Sequence, residues 1–287
     1  MATITTKDIS ELRARTGAGI GDCKAALQEA DGDMEKAVDI LRKKGIAKAE
    51  KRAGRSALQG QVVIETSPDG TNAAMVELNS ETDFVARTEE FGALARDLAK
   101  HAAAHAPVGV NAGSIDDQAF RGKTVGVVVK ELSGTIGEAM TLPRVARLTE
   151  PNGVVASYLH HNGQVGVIIA VEGPKGEPLA ALARELALHV ASADPVGVSE
   201  ADIPAEVIER ERRIAEEQVA AEGKPENIRA KIVDGKVRKF IAERTLLGQQ
   251  FVKDDTKKVG ELVAEAGKAV GGPVTVKRFA RFKVGES

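Results

Sequence analysis

Residues 93–110 read ALARDLAKHAAAHAPVGV and residues 181–198 read ALARELALHVASADPVGV, agreeing at 12 of 18 positions with a constant offset of 88. A repeat of this kind organises a chain more strongly than any local propensity. Two strand-like runs around a turn precede each copy: QVVIE, Pro68-Asp69-Gly70 and AAMVEL before the first, VVASYLH, Asn162-Gly163 and QVGVIIAV before the second. Asp-Gly and Asn-Gly between β-branched runs signal hairpins, because these residues tolerate the backbone that tight turns demand. Downstream the likeness resumes at an offset of 134, with Lys123, Val125, Gly126, Val129, Glu131, Gly137, Arg144, Ala146 and Arg147 recurring as Lys257, Val259, Gly260, Val263, Glu265, Gly271, Arg278, Ala280 and Arg281. KTVGVVVKELSGTIG is rich in β-branched residues, but its counterpart KKVGELVAEAGKAVG has helical spacing, so both are read as helices. TLPRVARL and TVKRFARF alternate with period 2 and read as closing strands. The unit is therefore β-β-α-α-β, twice, and the fold class α+β.

The copies depart from each other in two places, where function is most readily grafted onto a repeated scaffold. The change of offset from 88 to 134 gives the second copy 46 extra residues, around Ala205 to Gln250. They predict two helices, Pro204 to Glu222 and Pro225 to Arg244, joined at Gly223-Lys224, with each proline in a first turn where its missing N–H costs nothing. Val207, Ile214 and Ala221, then Ile228, Ile232, Val237 and Ile241, give one narrow apolar stripe per helix, as in a short antiparallel coiled coil. Such a hairpin is either a solvated strut or a surface for self-association or a partner. Conversely, the first copy has Asn79 to Gly92 where the second has only Glu172 to Ala180, and this longer loop reads NSETDFVARTEEFG. It holds Phe84 among Thr82, Asp83, Val85 and Ala86, with Thr88 as the N-cap of the following helix. A loop Phe ordinarily tucks onto the core, yet the second copy does without the loop altogether.

Residues 1 to 44 predict three short helices, with Thr5-Thr6 and Asp33 as caps, breaks at Thr16-Gly17 and Asp31-Gly32, and Ile9, Leu12, Leu27, Val38 and Leu41 as the core. The stretch that follows carries Lys48, Lys51, Arg52 and Arg55 against Glu50 and reads as a solvated linker; without stacking aromatics, direct nucleic-acid contact is the weaker reading. The expected organisation is a three-helix module at 1–45, a basic linker at 46–59, core subdomains at 60–150 and at 151–204 with 251–287, and the hairpin at 205–250.

The whole sequence of 287 residues carries 40 Lys+Arg against 42 Asp+Glu, so no global field draws it to nucleic acid or anionic lipid. Its 43% apolar and 29% charged content excludes wholesale disorder and collagen-like repeats. The longest apolar stretch, Val165 to Val171, falls short of a membrane span, and Met1 to Ser10 lacks a signal-peptide core, so neither membrane nor secretion is expected. A single cysteine, Cys23, permits no intrachain disulfide and points to a reducing, cytoplasmic setting.

Enzyme motifs fail on inspection. Gly122-Lys123-Thr124 would need glycine where Asp117 stands to be a phosphate-binding loop. Gly17, Gly19 and Gly21 follow a helix, with Asp22 where a dinucleotide fold needs its third glycine. His101 and His105 have the i,i+4 spacing of zinc ligands, but the second copy keeps His189 and has Ala193 for His105, and His101 shares a helix face with Leu94 and Leu98. They read as packed histidines, and Cys23 as a half-buried helical thiol. No catalytic residue, metal ligand or cofactor is expected.

The run Thr82-Asp83-Phe84-Val85-Ala86, the front-end run ELRARTGAGIGDCKAALQEADGD and the late run FVKDDTKKVGEL together resemble the bacterial elongation factor Ts family, over nearly the whole chain. The resemblance implies a ubiquitin-associated-like (UBA-like) three-helix module, two similar core subdomains, a coiled-coil hairpin, and guanine-nucleotide exchange on elongation factor Tu in translation. It implicates Thr82, Asp83, Phe84 and Val85 in disturbing the partner's magnesium site. It likewise implicates Gly19, Ile20, Asp22, Cys23 and Lys24 in contact with the partner's G domain, and His160 more weakly in contact with its third domain. A homodimer or a 2:2 complex through hairpin or core is left open. The competing class is a tether that binds through the front module without exchanging nucleotide. Long members carry a further C-terminal helical module, whereas this sequence reaches Ser287 soon after its last strand, so contacts of that module are not carried over.

Overall fold

The structure is a computed structural model that describes residues 4–110, 114–223 and 225–286. Among them the chain begins with α1 (Thr6–Thr16), α2 (Ile20–Glu29) and α3 (Met34–Glu50). Strands β1 (Gln59–Thr66) and β2 (Asn72–Ser80), helices α4 (Asp83–Ala86) and α5 (Glu89–His105), the short ribbon β3 (Ala119–Phe120) and β4 (Lys123–Thr124), α6 (Val125–Ile136) and β5 (Met140–Thr149) follow. Then come β6 (Gly153–Leu159), β7 (Val165–Glu172), α7 (Glu177–Ala193), α8 (Ala205–Ala221), α9 (Glu226–Arg244), the ribbon β8 (Gln250–Phe251) and β9 (Asp254–Lys258), α10 (Val259–Val270) and β10 (Thr275–Lys283).

Two antiparallel sheets of the same topology, β1-β2-β5 and β6-β7-β10, lie face to face. Val62, Met75, Leu148, Val155, Ile168 and Phe282 form the shared layer between them. Helices α5 and α6 cover the outer face of the first sheet through Leu94, Leu98 and Val129, while α7 and α10 cover the second through Leu179, Leu186 and Val263. With both faces covered, the central strands β2 and β7 are buried almost throughout, so β7 and the Ala73–Val76 part of β2 run apolar instead of alternating. Where β5 pairs with β2, the register shifts between Glu77 and Asn79. Pro143 occupies that shift on an edge strand, where its missing N–H breaks no central ladder.

Thr5 caps α1 in a reciprocal box with Asp8, Gly17 ends it in the left-handed conformation, and Asp33 caps α3. Leu12, Cys23, Ala26, Leu27, Ala37 and Leu41 form a small core of their own, against which Ile9 and Val38 pack. The helix α3 does not stop at 45: the Ala- and Lys-rich residues beyond keep it helical to Glu50, with Ala49 buried. The first five residues of the predicted linker, 46–50, are therefore helix, and they are tied down by Lys48 on Asp22 and Glu50 on Lys130.

The hairpin forms, but its seam differs from the predicted stripe. Ala215, Val219, Val233 and Val237 are buried between α8 and α9, with Ile208, Ile232 and Ile241 against them. Ile214, Ala221 and Ile228 face outward. The predicted α8 stripe of Val207, Ile214 and Ala221 misplaced the seam, which runs instead through Ile208, Ala215 and Val219. Pro204 and Pro225 are N-caps with extended backbone and not first-turn residues. Lys224, half of the predicted joint, lies outside the described residues. Among the described residues no helix is long and apolar enough to cross a membrane.

Candidate functional site

The segment 82–86 is a single helical turn and not a loop. Thr82 caps it, the Thr82 hydroxyl accepting the Val85 N–H at 3.4 Å. Val85 and Ala86 are buried in the core beneath α5, so the turn is pinned from below. One residue before Val85 the side chain must point the other way, and Phe84 is 81% exposed. It does not tuck onto the core. Among the seven Phe of the chain it stands in sharp contrast with Phe91, which is 0% exposed one turn into α5.

Three neighbours satisfy the turn's polar backbone. The Gln61 side-chain amide, from β1, donates to the Ala86 carbonyl at 2.7 Å, and the Ser80 hydroxyl to the Thr82 carbonyl at 2.9 Å. Glu138, just after α6, accepts the Thr82 N–H at 3.0 Å and its hydroxyl at 2.7 Å. In return Glu81 accepts the Ala139 N–H at 2.7 Å, and Arg55 lies 3.4 Å from the same carboxylate. The Ala139 hydrogen bond, with Arg55 behind it, holds the Glu81 carboxyl below its ordinary range. Thr82 is thus engaged within the chain, whereas the Asp83 carboxylate, among the described residues, pairs with the exposed Arg87 beside it at 2.9 Å.

The front-module residues divide. Gly19 caps α2 without a side chain, Ile20 is 59% exposed, and Lys24 is exposed. Ile20 borders an open groove lined by Thr6, Ile9, Arg13 and Gly17. Asp22 is exposed and paired with Lys48 at 3.0 Å. Cys23 is not part of that surface: its side chain is fully buried in the helical core, deeper than the half-buried thiol expected, and burial pushes the thiol's pKa up.

His160 opens the turn between β6 and β7, its Nδ1 2.9 Å from the Tyr158 hydroxyl, over a shallow hollow formed with Leu188 and Val252. The Gly163 carbonyl of that turn accepts the Val62 N–H at 2.8 Å. Neighbouring residues of β1, Gln61 and Val62, therefore hold the Phe84 turn and the His160 turn respectively.

His101 and His189 are packed in matching ways, whereas His105, expected to be packed as well, is exposed, because it lies at the last residue of α5. His101 Nε2 meets Gln118 Oε1 at 2.9 Å with Phe120 edge-on, and His189 Nε2 meets Gln249 Oε1 at 3.0 Å with Phe251 stacked. His189 Nδ1 also accepts the Val252 N–H at 3.2 Å. Among the described residues no three His, Cys, Asp or Glu side chains are placed to share a metal ion.

Sequence reasoning missed Gln61, Glu81 and Glu138. A signal for Glu138 was present in the repeat, since Gly137 recurs as Gly271 but the residue after it is Gly272, without a carboxylate.

Comparison with known proteins agrees with the motif resemblance. The family model described as Elongation factor TS matches residues 81–286. A protein named Elongation factor Ts from a Nitratiruptor species is 46% identical over 290 residues, covering 99% of this chain and 93% of that protein. Proteins of the same name from Sphingopyxis alaskensis and Rhizobium meliloti are each 46% identical, over 295 and 291 residues, covering 100% and 99% of this chain and 94% of each relative.

Proposed function

The chain belongs to the elongation factor Ts family, and on that premise we propose that it is the guanine-nucleotide exchange factor of elongation factor Tu, acting in translation elongation in the cytoplasm. The observation that carries the mechanism is the exposure of Phe84 on a turn whose every other contact is internal. Exchange needs no covalent chemistry. GDP is held on such a GTPase by phosphate contacts and a bridging magnesium ion, and a factor that binds the empty state better than the GDP-bound state lowers nucleotide affinity by that difference. Phe84 inserts apolar bulk among the elements that set the metal and phosphate loop, on a platform that does not yield. Asp83, with its carboxylate half in solvent, is the polar group beside it that the partner reaches.

The front helices, as a UBA-like module, present Ile20, Gly19 and Lys24 to the partner's G domain, and the Tyr158–His160 turn docks on its third domain. Because β1 holds both the Phe84 turn and the His160 turn, contact at one end fixes the geometry at the other. In this reading the two β-β-α-α-β units are copies of one scaffold, and only the first was fitted with the wedge. Docking of two complexes through the outward face of the hairpin, at Ile214 and Ile228, would give a 2:2 assembly.

Release of fluorescent GDP from elongation factor Tu, measured with substoichiometric amounts of this protein, tests the proposal. Turnover faster than spontaneous release is expected, and added GDP must dissociate the complex in proportion. Stable binding with unchanged release would make the protein a tether.

A further inference from the structure

A helix of four residues has no stability of its own, since nucleating the first turn is unfavourable and few bonds follow to offset it. Yet α4 carries the most exposed large hydrophobic side chain among the described residues, Phe84. The order of this turn has to come from its surroundings. Val85 and Ala86 fix its inner face, but buried apolar contacts alone leave the start of the turn free to unwind.

The start is held by Glu138, whose two oxygens take the two protons of one residue, the N–H and the hydroxyl of Thr82. With its proton committed there, the Thr82 hydroxyl turns a lone pair toward the Val85 N–H. Glu138 is itself placed by its own connection. Gly137, at φ 92°, ends α6 in a conformation that side-chain-bearing residues rarely adopt, the Ser133 hydroxyl donates to the Glu138 carbonyl at 2.6 Å, and the next N–H, of Ala139, is taken by Glu81. The two connections interlock, 81 onto 139 and 138 onto 82.

The second half of the molecule provides an internal control. After α10 the chain turns at Gly271 just as it does at Gly137, but the next residue is Gly272, and a methyl group there would stand 2.8 Å from Pro174 Cγ. The same two connections touch, without a carboxylate, in the half that has no Phe84 turn. The carboxylate accompanies the turn, not the scaffold.

We infer that Glu138 is a positioning residue for exchange: by capping Thr82 it presets the orientation of Phe84 before the partner arrives, without itself touching the partner. The inference rests on the exchange reading of Phe84. Removing the carboxylate moves the ordering of 82–86 into the binding step, which slows stimulated GDP release by roughly two- to tenfold, the effect of ordering one flexible segment on association.

The test is a cycle of Glu138→Ala, Phe84→Ala and the double variant in stimulated release of fluorescent GDP from elongation factor Tu, with hydrogen exchange of the free proteins. Glu138→Ala is expected to slow release and to speed amide exchange at 82–88 while the sheets stay protected. In the Phe84→Ala background it adds nothing. Glu138→Gln, whose amide can still accept from the Thr82 N–H and donate to its hydroxyl, restores most of the rate; a direct charge contact with the partner would not be restored. Full activity of Glu138→Ala, unchanged protection at 82–88, failure of Glu138→Gln to rescue, or an equal loss in the Phe84→Ala background would each overturn the inference while leaving the role of Phe84 intact. Wild-type release by Phe84→Ala alone would instead overturn the wedge, and this inference with it.

Discussion

Gly134 of α6 meets Gly45 of α3 backbone to backbone: a methyl group on Gly134 would stand 2.4 Å from the Gly45 carbonyl oxygen, whereas one on Gly45 would stand 3.8 Å from the Gly134 Cα. The crossing is therefore tolerant on one side only. It seats the front helices on the same α6 whose end clasps the Phe84 turn, aided by Arg42 on Glu131 at 3.2 Å.

Gly134→Ala is expected to lever α3 away, destabilising the protein by about 1–3 kcal/mol as overpacking does. Gly45→Ala, an ordinary contact in a helix interior, should be neutral or stabilise by up to about 1 kcal/mol. Urea midpoints of the two variants check this, and equal effects would show that the crossing is looser than described.

Phe84 and Phe91 make a matched pair for stability. Phe84→Ala removes exposed surface and should change stability by less than about 0.5 kcal/mol. Phe91→Ala empties a fully buried site and should cost about 3–5 kcal/mol. Chemical denaturation of both variants reads the difference.

Glu77 lies 1% exposed in β2 and is met by Arg144 at 2.5 Å, the Asn79 amide at 2.9 Å and the Gly285 N–H at 3.0 Å. Arg144 in turn donates to the Lys283 carbonyl and lies over Phe282, so the pair fastens the last strand to the first sheet. Arg144→Ala leaves a buried carboxylate unpaired and should cost about 3–5 kcal/mol. Glu77→Ala strands only a partly exposed guanidinium and should cost less, an ordering that thermal unfolding of the two variants can check.

His189 supplies the pH dependence. Burial lowers its pKa, against the hydrogen bond that its Nε2–H donates to Gln249 Oε1, so the folded protein holds it neutral where the unfolded chain protonates it. Its contribution is complete above the unfolded value of about 6.5 and is lost as pH falls below that value toward the lower folded one. The urea midpoint should fall between about pH 7 and 5, with a shallower slope in His189→Asn; identical slopes would exclude His189 as the source.

The repeat made the core legible because covalent order alone fixed which strands pair: a β-β-α-α-β unit read twice gives two sheets of one topology. The helical reading of Val125–Ile136 also came from its copy, against its own β-branched composition. What remained hidden was tertiary. The Ala- and Lys-rich end of α3 was helical enough by composition but is held in place by its contact with α6, the α8 seam passed through Ala215, and the two-residue strands β3 and β8 are too short to show a period. Of the site, the oddity of Phe84 was visible, but not its 81% exposure, nor the burial of Cys23, nor the clasp by Glu138, since all three depend on partners distant in sequence.

The central claim is that a pre-positioned, exposed Phe84 drives nucleotide release. Stopped-flow release of fluorescent GDP from elongation factor Tu, with this protein and with its Phe84→Ala form at equal concentrations, tests it most directly. The account predicts strong acceleration by the first and loss of most of it in a second protein that unfolds at the same urea concentration. Equal acceleration by both would contradict it and move the work of exchange to the front helices or the His160 turn.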